Sequence, residues 1–97
     1  MKRARKILHE KTSVETAMQR YKNLGGDSGV VAYDIDAGQI IVQFRNGDRY
    51  LYTEDSAGAA NVAKMQELAV AGRGLSAFIS QHVHDRYERK VNSGRLY

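Results

Sequence analysis

The side chains with the most reactive chemistry in this 97-residue chain stand together in the stretch His82-Val83-His84-Asp85. On a helix, residues two apart point in directions about 200° apart, so His82 and His84 could not grip one ion. Zinc-binding helices present histidines four positions apart, and the sequence has no such pair. We therefore predict no metal site and no acid–base pair here, with His82 partly buried and His84 exposed.

A second candidate, Asp34-Ile35-Asp36-Ala37-Gly38, resembles the start of a calcium loop. The match fails because that loop needs its glycine directly after the third acidic position and a glutamate at position twelve. The chain also lacks cysteine, which excludes thiol catalysis and disulfides and suits a reducing compartment. We find no nucleophile with an evident base, so we predict no catalytic residue, no cofactor and no enzyme activity.

Basic side chains are the remaining functional candidates, and they gather at the two ends of the chain. Residues 1–22 carry a net charge of +5, residues 27–55 carry −4 and residues 56–97 carry +3. Segregated charge of this kind bears on partners, because lysine and arginine at a phosphate backbone release condensed counterions. The predicted nucleic-acid contacts are Lys2, Arg3, Arg5, Lys6, Lys11, Arg49, Arg86, Arg89 and Lys90.

The element that must position most of the other side chains is a hairpin over residues 39–53. Alternating apolar residues on both sides of Asn46-Gly47 predict two antiparallel strands. A two-residue loop would leave Tyr50 and Tyr52 on the face opposite Ile40. A three-residue loop with Gly47 in a bulge would instead pair Val42 with Tyr50 and Ile40 with Tyr52.

We choose the second register because it places all the large side chains on one face, and register follows hydrophobic patterning. The predicted core face then contains Ile40, Val42, Phe44, Tyr50 and Tyr52. The two tyrosines are accordingly expected in the core, with their hydroxyls at its edge. The opposite face contains Ile41, Gln43, Arg49 and Leu51.

Three helices are predicted around this hairpin. The first begins at Thr12, where Thr12 and Glu15 form a capping box, and ends at Gly25-Gly26. The second is opened by residues 54–56, ends at the glycines of 72–74 and has an apolar face of Val62, Met65, Leu68 and Ala69. The third begins at Leu75 and carries Arg86, Arg89 and Lys90 near its C-terminus, where cations suit the helix dipole.

A short strand, Val30 to Tyr33, is predicted to pair with the first hairpin strand, and residues 34–38 are predicted to form the turn between them. The predicted fold is α+β, a three-stranded antiparallel meander with two C-terminal helices packed on one face and the N-terminal helix on or beside the other. Residues 1–11 form a basic arm and residues 12–97 one small domain. Tyr21, at the end of the apolar stripe of the first helix, is expected in the core.

Residues 28–87 resemble the KTSC domain, a small domain named for its occurrence at the C-terminus of some lysyl-tRNA synthetases. The resemblance rests on Ile40-x-Val42-x-Phe44, Gly47, Tyr50-x-Tyr52 and a small-residue helix that closes at Gly74. The family usually has a proline soon after Tyr-x-Tyr, whereas residues 53–56 of this chain contain none. The synthetase context implies RNA binding.

The expected function is therefore that of a small basic bacterial-type module that binds RNA through its charged ends and does no chemistry. The alternative is a protein-interaction or homo-oligomerisation module, because Ile41 and Leu51 face away from the predicted core. No apolar run approaches the length of a membrane span, and no hydrophobic region follows the basic start. We expect a cytoplasmic protein without a membrane partner.

Overall fold

The computed structural model describes residues 18–26 and 28–91 of the chain. Strands β1 (Gln19–Arg20), β2 (Val30–Asp36), β3 (Gln39–Phe44) and β4 (Arg49–Thr53) come first. Helices α1 (Glu54–Ala57), α2 (Ala59–Ala71) and α3 (Leu75–Phe78) follow, and α3 continues into a π-helix, Ile79–Val83. Strand β5 (Arg89–Val91) is the last described element. No helix in this part of the chain is long and apolar enough to span a membrane.

The five strands form one antiparallel sheet in the order β1-β2-β3-β4-β5. The α+β class and the antiparallel sheet are confirmed, whereas the predicted number of three strands is wrong. The two additional strands, β1 and β5, are two and three residues long, and each pairs with an edge of the predicted sheet. Strands this short carry no readable alternation, so the available edge of a longer neighbour determines them.

The register of the β3–β4 hairpin is the one predicted. Ile40 pairs with Tyr52 and Val42 pairs with Tyr50. The loop closes through a bond from the Phe44 amide to the Asp48 carbonyl, 2.8 Å, and Gly47 adopts a φ of 95°. Since that φ favours glycine, the Asn46-Gly47 sequence fixes which side of each strand faces the core.

The predicted turn at residues 34–38 is shorter in the structure. Asp34 and Asp36 belong to β2, which pairs with β3 as far as Asp36 opposite Gln39. The turn itself consists of Ala37 and Gly38, and Gly38 has a φ of 70°. The aspartates therefore extend the strand, and Asp36 caps the turn by accepting a bond from the Ala37 amide.

The predicted N-terminal helix is wrong where the structure can test it, and residues 12–17 lie outside the described range. Gln19–Arg20 form a strand that pairs with Ala32 and Tyr33 of β2. Tyr21 is 3% exposed, and its hydroxyl accepts a 3.2 Å bond from the Leu75 amide. Tyr21 thus belongs to the core as predicted, but it reaches the core from extended chain.

The main core lies between the sheet and the helices. The side chains of β3 and β4 that face the helices pack against Val62, Met65 and Ala69 of α2, and against Leu75, Ile79 and Val83 of the following helical segment. Thr53 caps α1 by accepting a bond from the Ser56 amide at 3.1 Å. We call this side of the sheet the inner face and the opposite side the outer face.

The third predicted helix ends earlier than expected. It stops at Val83, and His84 adopts a φ of 39° and a ψ of −106°. The chain then returns as β5, so Arg89 and Lys90 lie on a strand and not at a helix C-terminus. The amide of Glu88 donates to the Leu51 carbonyl, which shows that the edge of β4 recruits this segment.

Candidate nucleic-acid interface

Arg49 lies on the outer face of β4, as predicted. It pairs across the strands with Gln43, and its Nε donates to Gln43 Oε1 at 3.2 Å. This hydrogen bond uses the Nε–H alone, and the two terminal nitrogens of a guanidinium group can bind a phosphate.

Strand alternation in β5 separates two of the predicted cations. Arg89 pairs with Leu51 on the outer face, whereas Lys90 pairs with Tyr50 on the inner face. Arg89 is therefore a diagonal cross-strand neighbour of Arg49, a relation that places Cβ atoms about 7 Å apart. These two arginines form the first pair of predicted site residues that the structure brings together.

Arg20 also lies on this surface, although the sequence pattern predicted it within the N-terminal helix. It pairs with Ala32, which pairs with Gln43, which in turn pairs with Arg49. With strands about 4.8 Å apart, Arg20 and Arg49 stand roughly 14 Å from one another along one cross-strand row. Arg20, Gln43, Arg49 and Arg89 define what we call the arginine face. The two-residue strand β1 gave no periodic signal by which Arg20 could have been found.

Lys90 forms an ion pair on the inner face of the sheet. Its Nζ lies 3.3 Å from Asp48 Oδ1 and 6.0 Å from the centroid of the Tyr50 ring. Arg86 is exposed in the segment between the π-helix and β5, where its amide donates to the Val83 carbonyl. Lys2, Arg3, Arg5, Lys6 and Lys11 lie outside the described residues. The predicted cations within residues 18–26 and 28–91 therefore do not form one cluster.

Acidic side chains of β2 also lie on the outer face. Asp34 pairs with Ile41, and Asp36 pairs with Gln39. Burial, and to a smaller extent the negative charge of Asp36, raises the pKa of Asp34 above its ordinary value. The charges on this face are therefore mixed, because Arg49 and Arg89 lie on β4 and β5, whereas Arg20 on β1 is a diagonal cross-strand neighbour of Asp34.

Leu51 lies at the centre of the outer face and is 5% exposed. Its cross-strand neighbours are Ile41 and Arg89. Leu51 therefore faces away from the main core, as predicted, yet its side chain is buried. The aliphatic part of Arg89 lies beside an apolar surface, which favours an extended arginine with its charged end toward solvent.

The Tyr-x-Tyr motif faces the helices. Tyr52 is 1% exposed, and its hydroxyl donates to the His84 carbonyl at 3.2 Å. Burial, followed by the neighbouring Tyr50, Tyr87 and Asp85, raises the pKa of Tyr52 to about 12. Tyr50 is half-buried and packs against the core from its edge. The prediction that both tyrosines point to the inner side is confirmed by the strand register.

His82 and His84 lie in separate surroundings. His82 is exposed and stacks on Phe78 with ring centroids 4.5 Å apart, so its predicted partial burial is wrong. His84 Nδ1 lies 3.9 Å from Asp85 Oδ1, and both side chains are exposed. Within residues 18–26 and 28–91, no group of three or more histidine or acidic side chains could hold an ion.

Comparison with known proteins adds no family to these observations. The sequence matches no protein-family model, no curated protein and no solved structure.

Proposed function

We propose that this protein binds single-stranded RNA and that the arginine face contacts the phosphate backbone. The observation that carries the proposal is the strand register, which places Arg49 diagonally from Arg89 and in one row with Arg20. Guanidinium groups bind phosphate oxygens in a planar, bidentate manner, and a sheet holds their stems at fixed spacing. The expected contribution of the basic residues 1–11 remains part of the proposal.

Single-stranded nucleic acid suits this surface better than a duplex does. The arginines lie on short strands of a sheet, whereas reading the bases of a duplex requires an element that enters a groove. The ion pairs within the described residues are Lys64–Glu67, His84–Asp85 and Lys90–Asp48, and they do not involve the arginine face. Its guanidinium charges are therefore not neutralised by those pairs.

The test is a titration of a labelled, unstructured RNA oligonucleotide at several salt concentrations. For single strands, the slope of log affinity against log salt is about −0.7 for each phosphate contact. The double variant Arg49→Gln, Arg89→Gln should bind more weakly and should lose about 0.7 of slope for each arginine removed. The matched control is Lys64→Gln, which removes a cation that pairs with Glu67 on α2.

Equal affinities and slopes for the wild type and the double variant would refute the role of the arginine face. A chain without residues 1–11 that retains full affinity would refute the role of the basic arm. A DNA oligonucleotide of the same sequence provides the third comparison, because RNA preference requires recognition of the 2′-hydroxyl.

A second candidate function is binding of a protein partner or a second copy of the chain along β2. In the described part of the chain, β1 pairs with β2 only at Ala32 and Tyr33, and Ile35 farther along is 36% exposed. An apolar side chain beside an available strand edge favours addition of another strand. The resemblance of residues 28–87 to the KTSC domain stays a prediction and supports neither function by itself.

A further inference from the structure

A second surface of the molecule is a cavity at the edge of the inner face, which we call the aromatic groove. Its volume is about 280 Å³, and its aromatic walls are Phe44, Tyr50, Tyr52 and Tyr87. His84 and Asp85 line its polar side. Sites for drug-sized ligands usually measure roughly 300–1,000 Å³, so this groove has the size for one small planar ring system.

The rings of the aromatic groove present their faces and edges in a fixed arrangement. The centroids of Tyr50 and Tyr87 lie 4.6 Å apart with the rings tilted by 41°. Phe44 meets Tyr50 edge-on at 5.7 Å, and Tyr52 meets Tyr87 edge-on at 6.2 Å. Tyr52 forms the buried floor, whereas Tyr87 is 37% exposed. Tyr87 is therefore the ring that a ligand can reach most directly.

The backbone beside the groove departs from regular structure in two ways. The helix that begins at Leu75 widens into π-helix over Ile79–Val83, and His84 then adopts a positive φ. The hydroxyl of Tyr52 holds the His84 carbonyl in this conformation. Such π-turns and strained residues are enriched at binding and catalytic sites. Here they end the helix early, and the chain that follows places Tyr87 against Tyr50.

We propose that the aromatic groove binds one unpaired nucleobase of the RNA strand whose phosphates lie on the arginine face. This inference rests on the proposed function, which supplies the strand. Base–aromatic stacking accepts any base because every base has a π-face. The carboxylate of Asp85 disfavours a phosphate inside the groove, so the base enters and the phosphates remain outside.

The cations of β5 connect the two surfaces. Lys90 lies on the inner face, 6.0 Å from the Tyr50 ring centroid, and Arg89 is the preceding residue on the outer face. An RNA strand that crosses the edge of β5 passes from Lys90 on the inner face to Arg89 on the outer face. Its phosphates then meet Lys90 and Arg89 in succession, and a base between them lies beside Tyr50 and Tyr87.

The experiment compares two RNA oligonucleotides of equal length and charge, one intact and one without its bases. The variant Tyr87→Leu keeps an apolar side chain of moderate size and removes the ring. It should bind the intact oligonucleotide about tenfold more weakly than the wild type does, and the baseless one equally well. Tyr87→Phe should retain the wild-type affinity for both. Val70→Leu, on an exposed part of α2, is the control for a surface apolar change.

The outcomes of these binding measurements distinguish this inference from the proposed function. If Tyr87→Leu weakens the binding of both oligonucleotides equally, or of neither, the groove does not stack a base. This conclusion holds even if the double variant Arg49→Gln, Arg89→Gln confirms the backbone contacts. If the wild type binds no oligonucleotide, the proposed function fails. Adenosine, which has no phosphate, then tests the groove in the wild-type protein by NMR. Amide shifts confined to residue 50 and residues 84–87 would support it, and their absence would overturn it.

Discussion

Tyr52 shows how one side chain can join the sheet, the helix end and the groove. It is buried on β4, it pairs with Ile40, and its hydroxyl binds the carbonyl of His84, 32 positions later in the chain. Its burial was predictable, because the alternation of apolar residues places it with Ile40 and Val42. The partner of its hydroxyl was not predictable, since the early end of the helix determines where the His84 carbonyl lies.

Removal of this hydroxyl should lower stability. We expect Tyr52→Phe to reduce the free energy of unfolding by about 1 kcal/mol, because the hydrogen bond from the buried Tyr52 side chain to the His84 carbonyl is lost. Chemical denaturation at neutral pH measures the change. Tyr87→Phe is the matched control and should fall within about 0.5 kcal/mol of the wild type, since Tyr87 is partly exposed. Equal losses in the two variants would contradict the role of the Tyr52–His84 bond.

The raised pKa of the Tyr52 hydroxyl predicts how the stability of the protein changes at alkaline pH. In the folded protein the pKa of Tyr52 is about 12, above its ordinary value of 10.0, so the folded state holds the proton more tightly than the unfolded state. The associated stability is complete below pH 10 and is lost as the pH rises toward 12. Denaturation across this range should show a steeper decline for the wild type than for Tyr52→Phe. Equal dependence of stability on pH in the wild type and in Tyr52→Phe would contradict this expectation.

Among the elements, the β3–β4 hairpin followed its sequence most closely. Gly47 in a three-residue loop fixed the register, and the apolar alternation on both strands agreed with it. The apolar stripe of α2 was also correct, with Val62, Met65 and Ala69 in the core. Local pattern and tertiary packing support the same arrangement in these elements, and this agreement makes a sequence predictable.

The end of α2 provides a prediction about an element, because glycine is needed there both for its backbone conformation and for the lack of a side chain. Gly72 has a φ of 81°, and a Cβ there would lie 2.7 Å from the Cβ of Lys22. Gly47 has a φ of 95°, but a Cβ there would have no heavy atom within 4 Å. Gly47→Ala should therefore cost only the backbone strain, about 1–2 kcal/mol. Gly72→Ala should cost more, because the segment at Lys22 must also move.

Denaturation of both glycine variants measures the difference. The Leu24 amide donates to the Gly72 carbonyl at 2.8 Å, so displacement of this segment also strains a hydrogen bond. Equal losses of stability for Gly72→Ala and Gly47→Ala would show that the segment around Lys22 moves away without cost. That result would reduce the importance of the packing between the segment after β1 and the end of α2.

At the scale of the whole molecule, the sheet edges determine how copies of the chain can meet. The terminal strand β5 carries Arg89 and Lys90, and the end of β2 carries Asp34 and Asp36. Charged residues on edge strands oppose pairing with another sheet. We therefore expect sedimentation to give the mass of one protomer across a concentration series.

A dimer mass that appears at high concentration and disappears in Ile35→Lys would contradict this expectation. It would favour the second candidate function, since Ile35 is the exposed apolar side chain near the available part of β2. Loss of association in Val70→Lys as well would show that the effect does not depend on the strand edge. Val70, 58% exposed on α2, therefore serves as the control position.

The sequence alone determined the α+β class, the hairpin register and the inward direction of both motif tyrosines, because long alternating segments carry their own periodicity. Tertiary structure decided that residues 19–20 and 89–91 are strands and that the third helix ends at Val83. These short segments have too few residues for a period, and hydrogen bonds offered by neighbouring strand edges decide their conformation. The positions of Arg20, Arg89 and Tyr87 all follow from those edges.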